Sequence, residues 1–326
     1  MSIQHRFRPG AVTRDFGSGD LLVLGATAIW SVNVVAVKLA LHQSGPLTYS
    51  AIRYLVGGVA LLGLARWIDG PLPRLSRGQW RLVAVLALFG VLINQSSFTG
   101  SLALTNADNV AMISGTTPLL VALWVAYRHR QRFRARVWVG LAIGFAGLFL
   151  VVGAGAAGWS SWFGIVVALG NPISWAVYLL VLPRLLGRLP PLTLAALISL
   201  LGAAMLVPFG AAQALAQPPH PTFGWLGLLA YSALGAVALT TWMYLPGVSR
   251  LGPARTAIYS YLQPFLALVA ALLIVGEPIL PLQLLGGLVM LVGVAMGRPR
   301  ARPTRSGRDG APVVVTAPAV SPNHAS

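Results

Sequence analysis

Residues 30–57 carry the sequence WSVNVVAVKLALHQSGPLTYSAIRYLVG, and residues 175–202 carry WAVYLLVLPRLLGRLPPLTLAALISLLG. At a constant offset of 145 residues, Trp30 aligns with Trp175, and Pro46-Leu47-Thr48 aligns with a second Pro-Leu-Thr. Matches of Leu or Ala carry little information in so apolar a chain, whereas Trp and Pro matches in sequence order are hard to reach by chance. The two stretches therefore indicate an internal duplication.

The duplication continues along the chain, with a one-residue insertion that changes the offset to 146. Further pairs are Val32 with Val177, Ala51 with Ala196, Gly57 with Gly202, Trp80 with Trp225, Gly90 with Gly235, Ala111 with Ala257, Ser114 with Ser260, Pro118 with Pro264, Gly140 with Gly286 and Gly147 with Gly293. The glycines of the fifth and tenth apolar windows are explained by close helix packing, so we assign them no substrate role. They are Gly140, Gly144, Gly147, Gly286, Gly287 and Gly293.

The composition is that of a membrane protein. The chain is 56% hydrophobic and 9% charged, whereas about a quarter of the residues of a soluble domain are charged. A spanning helix needs about 20 mainly apolar residues. Ten such windows run over residues 20–42, 48–68, 79–101, 106–127, 136–154, 162–183, 192–215, 223–246, 253–275 and 281–298. The sequence contains no cysteine, which excludes disulfides, thiol catalysis and cysteine metal sites.

The basic residues fall on one side of this ten-helix arrangement. Of the 23 basic residues, 21 lie before the first window, in or beside alternate connections, or at and after the end of the last window, and the exceptions are Lys38 and Arg53. The positive-inside rule then predicts that both termini are cytoplasmic. This sorting explains the net charge of +17, so we expect no nucleic-acid partner. Residues 1–19 are predicted to form a cytoplasmic segment and residues 299–326 a disordered cytoplasmic tail.

The predicted fold is all-α, a polytopic membrane protein with ten transmembrane helices arranged as two inverted five-helix repeats. The first repeat covers residues 20–155 and the second covers residues 156–298. Because each repeat has an odd number of spans, the second repeat must enter the bilayer from the opposite face. Inverted repeats are typical of secondary transporters, in which substrate sites form near the bilayer midplane between the repeats.

A set of local motifs occurs in a fixed order along residues 20–298. The set comprises Trp30-Ser31-Val32-Asn33 followed by Lys38, Pro46 followed by Arg53, Pro118, Pro264, and Gly276-Glu277 before a glycine-bearing last window. In this order and spacing the chain resembles the EamA-type members of the drug/metabolite transporter superfamily. One departure is visible, since the Gly-Glu that usually ends the fourth helix is missing and Gln131 aligns with Glu277.

The resemblance implies a secondary transporter that moves small organic metabolites, such as amino acids, related amphiphiles or drugs, often as export, by alternating access. It implies a multi-pass protein of the bacterial cytoplasmic membrane, with a small-molecule substrate and the lipid bilayer as partners and no cofactor. A membrane-embedded enzyme and a non-transporting scaffold stay open as alternatives. An enzyme would need paired carboxylates, a metal cluster or an activated nucleophile inside the bilayer, and the sequence offers no such set.

Polar and aromatic residues inside the apolar windows are the candidate substrate-binding residues, because intramembrane polar groups are costly and often functional. Arg53 lies about one helical turn deeper than Lys38, and the two could attract a carboxylate, although Lys38 could instead extend to the lipid headgroups. Asn33 and Asn94 could bind substrate or bond neighbouring helices. The candidate set is Trp30, Asn33, Lys38, Arg53, Asn94, Ser114, Pro118, Trp175, Tyr178, Tyr259, Gln263 and Pro264.

Prolines and tryptophans refine these expectations. Pro118 and Pro264 fall near the middle of the fourth and ninth windows, which predicts kinked helices that line the translocation path or simply pack. Three tryptophans are predicted to form cavity walls and two to face the membrane interface, namely Trp30, Trp175 and Trp242 for the walls and Trp80 and Trp225 for the interface.

The sequence also limits the energy source of transport. It contains no Gly-x-x-x-x-Gly-Lys-Ser/Thr motif, so ATP is not expected to drive the protein directly. No Asp or Glu lies deep in any apolar window, which argues against a carboxylate proton relay of the usual kind. Exchange and facilitated diffusion stay open.

Overall fold

The first five helices form one half of the molecule. The computed structural model describes residues 16–104, 110, 113–128, 133–153, 162–276 and 279–297. Within these ranges the chain is helical and contains no β-strand. The first-half helices are α1 (Ser18–Ala40), α2 (Pro46–Ile68), α3 (77–104), α4 (Thr117–Arg128) and α5 (Ala135–Gly153).

Five further helices form the second half. They are α6 (Trp162–Val181), which is followed by a 3-10 turn at Leu182–Arg184, α7 (Pro191–Ala216), α8 (Phe223–Leu251), α9 (253–275) and α10 (Pro281–Gly297). The predicted terminal tail and the aligned pair Gln131 and Glu277 lie outside the described residues.

The lengths and composition of these helices fit a membrane-spanning fold. In the described part of the chain, eight helices are long and apolar enough to cross a membrane, and α4 and α10 are shorter apolar helices. The prediction of an all-α polytopic fold is confirmed. Of the fourth window, predicted over residues 106–127, the structure describes residue 110 and residues 113–127, where a turn at 115–116 interrupts the helix before Thr117.

The helical bundle has two chemically different ends. Helices α1, α3, α5, α7 and α9 begin at one end, and every described arginine except Arg53 lies in or near a connection there. We call this the arginine end and the other the opposite end.

Helices α2 and α7, which are equivalent in the two repeats, pack in antiparallel orientation. At the arginine end, Asp69 Oδ2 accepts hydrogen bonds from Thr193 N at 3.0 Å and Thr193 Oγ1 at 2.9 Å. At the opposite end, Gln213 Oε1 accepts hydrogen bonds from Leu47 N at 2.8 Å and Thr48 N at 3.1 Å. The first turn of each helix therefore meets the end of the other, which is the arrangement that inverted repeats require.

Glycines bring α5 and α10, the second equivalent pair, into backbone contact. A Cβ atom built on Gly293 would lie 2.3 Å from Gly144 N and 2.5 Å from Gly144 Cα, so a larger residue does not fit there. Arg136 Nε, in the first turn of α5, donates to Met296 O in the last turn of α10 at 3.2 Å, so this pair is also antiparallel. The packing prediction holds for this helix pair, whereas Gly287 faces α9 instead.

Helices α3 and α8 each contain a π-helical segment, at Leu88–Ile93 and Tyr231–Leu239 respectively. At the 145-residue offset the two segments overlap, so the feature is repeated in both halves. Segments of π-helix inside α-helices frequently occur at functional sites. Neither segment is predicted by the sequence.

Pro118 and Pro264 follow breaks in their helices. A turn at residues 115–116 precedes α4, and a 3-10 turn at Tyr259–Tyr261 divides α9. Proline lacks the amide N–H that would continue the preceding helical ladder. The predicted mid-helix kinks are therefore helix breaks, and each proline lies near the start of the segment that follows.

Candidate functional site

Arg53 is a buried cation about two turns into α2 from the opposite end, with only 6% of its surface exposed. Its Nη1 atom donates to Ser232 Oγ at 3.3 Å, and its Nη2 atom donates to Gln95 Oε1. Its Cζ atom lies 5.3 Å from the ring centroid of Tyr54 and 6.0 Å from that of Tyr49. Aromatic rings at such distances attract a cation, yet all four partners are uncharged.

The guanidinium belongs to a set of hydrogen bonds that joins the two repeats. Ser232, in the π-helical segment of α8, also donates to Asn33 Oδ1 of α1. Gln95 Nε2 donates to Asn94 Oδ1 at 3.0 Å, and Asn94 Nδ2 donates to Asn171 O of α6 at 3.3 Å. The inter-repeat network is defined here as Asn33, Arg53, Asn94, Gln95, Asn171, Ser174 and Ser232.

Two buried side-chain polar atoms have no hydrogen-bond partner among the described residues, Arg53 Nε and Ser114 Oγ. Most buried polar atoms in proteins are hydrogen-bonded, so these two atoms are exceptions among the described residues. The acidic residues in the described ranges are Asp20 and Asp69, and both bond elsewhere. Arg53 therefore has no carboxylate partner within those ranges.

Four aromatic rings, which we call the aromatic cluster, lie beside the network. Trp175 stacks on Tyr178 with a centroid distance of 4.8 Å, and Trp30 meets Trp175 edge to face at 5.7 Å. Tyr244 lies 4.9 Å from Trp30 and 5.8 Å from Trp175. Trp30 is one helical turn from Asn33 on α1, so the cluster adjoins the inter-repeat network.

A buried ion pair joins the repeats at the arginine end. Arg255, at the start of α9, donates through Nη2 to Asp20 Oδ2 at 2.7 Å, and the hydroxyl of Tyr259 donates to Asp20 Oδ1. These three residues form the arginine-end cluster. It connects α1 of the first repeat to α9 of the second.

A neutral set of hydrogen bonds joins the repeats at the opposite end. Thr222 Oγ1 donates to Gln43 Oε1 at 2.8 Å, and Trp225 Nε1 donates to Ser44 Oγ at 3.1 Å. Gln43 and Ser44 lie between α1 and α2, whereas Thr222 and Trp225 begin α8. We call these four residues the opposite-end contact.

A model of the EamA-like transporter family matches residues 17–153 and again residues 162–297. This chain belongs to the EamA-like transporter family. The match to both halves agrees with the antiparallel pairing of α2 with α7 and of α5 with α10. The sequence resemblance to the drug/metabolite transporter superfamily is confirmed.

Individual relatives of this EamA-like chain carry transporter names. An uncharacterized transporter of Archaeoglobus fulgidus is 26% identical over 84% of this chain and 95% of its own length. The uncharacterized transporter YvbV of Bacillus subtilis is 28% identical over 83% of this chain and 88% of its own length. The uncharacterized inner membrane transporter YedA of Escherichia coli is 26% identical over 82% and 86%. These names support a multi-pass membrane transporter.

A solved structure described as "Crystal structure of protein" shares the fold. It superposes with a TM-score of 0.73 at 20% sequence identity and covers 86% of this chain and 96% of the other. At this identity the likeness shows the fold alone.

The structure brings half of the predicted site residues of this EamA-like chain together. They are Trp30, Asn33, Arg53, Asn94, Trp175 and Tyr178, which all belong to the inter-repeat network or the aromatic cluster.

The other predicted residues lie elsewhere. Lys38 is exposed near the end of α1 and is not a member of the network, while Tyr259 belongs to the arginine-end cluster. The remaining four lie at the helix breaks of α4 and α9, namely Ser114, Pro118, Gln263 and Pro264.

The structure corrects two of the tryptophan expectations. Trp242 is 45% exposed and is not a member of the aromatic cluster, where Tyr244 stands instead. Trp225 is 4% exposed and donates to Ser44, so it is a buried contact rather than an interfacial residue. Trp80 is exposed at the start of α3, and its place at the membrane interface stays a prediction.

Sequence reasoning missed several partners in these sites. Ser232 does not stand out in the local sequence. The signal that could have marked it is that the equivalent position of the first repeat holds an alanine, Ala87, so the polar side chain is present in one repeat and not in the other. Asp20 and Arg255 lie near the starts of the predicted windows 20–42 and 253–275, and only the contact between distant helices pairs them. Searched over the described residues, the structure holds no group of three or more metal-ligating side chains.

Proposed function

We propose that this EamA-like chain is a secondary transporter that moves small organic metabolites across the bacterial cytoplasmic membrane by alternating access, and that it exports them. The observation that carries the proposal is the inter-repeat network beside the aromatic cluster. Both repeats contribute side chains to this site, and inverted-repeat transporters bind substrate at the interface of their repeats. The transporter names of the relatives support the same activity.

The two ends of the bundle would act as alternating gates. Opening the arginine end separates Asp20 of α1 from Arg255 and Tyr259 of α9. Opening the opposite end separates the connection after α1 from the start of α8, which meet at Ser44 and Trp225. Both contacts are made in this structure, which fits a state closed at both ends.

The orientation follows from charge. The arginine end would face the cytoplasm, because arginine-rich connections are retained there by the positive-inside rule. Both termini of the chain would then be cytoplasmic. Reporter tags on each terminus test this, and a periplasmic signal from either tag would contradict the orientation.

Transport is distinguished from a membrane-embedded enzyme or a scaffold by net movement of solute. Purified protein is placed in liposomes loaded with a bacterial metabolite extract, and mass spectrometry follows what leaves. We expect at least one metabolite to leave faster than from protein-free liposomes. If no metabolite leaves faster, or if new products form inside instead, the proposal is wrong.

Variants connect that movement to the site. Ser232→Ala and Asn33→Ala each remove a buried hydrogen bond that joins the repeats, and we expect each to slow efflux by roughly tenfold. Ser199→Ala, a buried serine of α7 outside the network, serves as the matched control and should transport at the wild-type rate. Equal rates in all three variants would contradict the site.

Export is tested in cells. Cells that lack the protein should retain the metabolite identified in liposomes, and cells that overproduce it should release more into the medium. The reverse pattern would indicate uptake.

A further inference from the structure

We propose that the substrates are organic carboxylates, monoanions with an apolar or aromatic body and no fixed positive charge. The carboxylate binds Arg53, and the body lies against the aromatic cluster. This inference rests on the transport function proposed above and names the substrate class for the same site.

The buried charge of Arg53 favours an anionic substrate. Arg53 is buried among neutral partners, namely Ser232, Gln95 and the rings of Tyr49 and Tyr54. A buried charge is destabilising unless it is paired or fully hydrogen-bonded. Since the acidic residues of the described ranges are engaged elsewhere, none of them neutralises this guanidinium, and an anionic ligand would supply the counter-charge.

The pattern of N–H donors on Arg53 favours a carboxylate. A guanidinium has five N–H donors in a planar fork and binds a carboxylate through two parallel hydrogen bonds. In Arg53, one donor on Nη1 bonds to Ser232 and one on Nη2 bonds to Gln95, while Nε has no partner among the described residues. The remaining N–H donors of Arg53 suit a carboxylate. Gln95 Oε1 occupies one of the positions from which a carboxylate oxygen could accept a hydrogen bond from this guanidinium.

The site disfavours a positive charge on the substrate. A cation would meet an uncompensated guanidinium at short range in a medium of low dielectric constant. An ammonium group would also need an acidic partner, and the acids of the described ranges, Asp20 and Asp69, bond to Arg255 and Thr193. Organic cations and amino acids therefore fit this site less well than simple carboxylates.

The distance between the network and the aromatic cluster indicates the size of the apolar body of the substrate. Trp30 lies three residues before Asn33 on α1, about 4.5 Å along the helix axis. A ligand that reaches from the network to the aromatic cluster therefore places its carboxylate a few bonds from its ring. Short arylalkanoates match this spacing and serve as probes.

Binding is measured by thermal stabilisation of the purified full-length protein with four probes that share one skeleton. They are 3-phenylpropionate, its amide, the amine 3-phenylpropylamine and the amino acid phenylalanine. We expect 3-phenylpropionate to bind at least tenfold more tightly than the other three, because it alone offers Arg53 charge-assisted hydrogen bonds without bringing a positive charge into the site. Equal or tighter binding of the amide, the amine or phenylalanine overturns the proposal.

Variants locate the preference at Arg53. Arg53→Gln should remove at least tenfold of the preference for 3-phenylpropionate over its amide, and Arg53→Lys should retain only part of it because lysine lacks the planar fork. Arg66→Gln, which removes an exposed charge from the same helix, is the matched control and should bind like the wild type. If Arg53→Gln keeps the full preference, the assignment is wrong.

Three further outcomes separate the alternatives. If chloride stabilises the protein as strongly as 3-phenylpropionate and competes with it, the site binds simple anions and the organic class is wrong. If metabolite efflux from liposomes occurs but no carboxylate binds selectively, the substrate class fails while the transport function stands. If carboxylates bind selectively but nothing leaves the liposomes, the transport function fails instead.

Discussion

Arg255 donates hydrogen bonds to both carboxylate oxygens of Asp20 across the interface between the two repeats. Its Nε atom lies 3.1 Å and its Nη2 atom 2.8 Å from Oδ1, and Nη2 lies 2.7 Å from Oδ2. The two side chains are 4% and 1% exposed. A fork of this kind adds geometric specificity to the charge interaction, so it sets how α1 and α9 meet at the arginine end.

Breaking this pair from one side should be costly. Asp20→Asn removes one partner of a buried ion pair, so we expect the free energy of unfolding in detergent to fall by about 3–5 kcal/mol. Denaturant titration followed by circular dichroism measures the change. Arg250→Gln is the matched control, because that arginine bonds to Ser18 at an exposed site and should contribute less than about 1 kcal/mol. Equal losses in both variants would contradict the structural role of Asp20.

The caps on α2 and α7 should contribute independently. Asp69→Ala and Gln213→Ala each remove the acceptor for a helix N-terminus, which is worth about 1 kcal/mol. Because the caps lie at opposite ends of the bundle, the double variant should lose the sum of the two effects. Asp69→Asn keeps an acceptor oxygen and should lose less. Wild-type unfolding midpoints in both alanine variants would show that water replaces these caps at no cost.

Transport should need the opposite end to open. The chain has no cysteine, so introduced thiols can be bridged without background. Gln43→Cys with Thr222→Cys places one thiol on each side of the opposite-end contact. A short thiol-specific bridging reagent should stop metabolite efflux, and a reducible reagent should allow recovery. Each single variant treated in the same way is the control, and unchanged efflux from the bridged protein would exclude movement at this end.

The glycine contact between α5 and α10 should tolerate no side chain. A Cβ at residue 293 would lie 2.3 Å from the backbone of Gly144, so Gly293→Val should separate the helices and reduce the amount of folded protein in the membrane several-fold. Gly63→Ala is the control, since a Cβ there meets nothing within 4 Å, and alanine favours the helix by about 1 kcal/mol. Size-exclusion profiles of both variants report the outcome, and a normal profile for Gly293→Val would refute the close contact.

Much of the fold was predictable because it depends on local sequence. Apolar length defines most helices, and the odd number of spans in each repeat requires the inversion that the pairing of α2 with α7 displays. The π-helical segments and the break before Pro264 were not predictable, because their geometry depends on neighbouring helices. Periodicity reports only which face of a helix is apolar.

Some residues of the candidate site were likewise predictable from the sequence, and others were not. Trp30, Asn33 and Arg53 were identifiable because aromatic, amide and charged side chains are unusual inside apolar windows. Ser232 and Tyr244 were missed, because serine and tyrosine are common in membrane helices and neither position stands out in the chain. Lys38 shows the opposite case, a charge inside a window that lies at the exposed end of its helix.

The sequence by itself determined that this protein spans a membrane as two inverted copies of five helices, because hydropathy, duplication and arginine placement are all properties of the linear chain. Only the tertiary structure decided which residues meet. It placed Arg53 beside Ser232 and Asp20 beside Arg255, residues that are 179 and 235 positions apart. Such pairings depend on how helices from different repeats pack, and no local pattern in the chain carries that information.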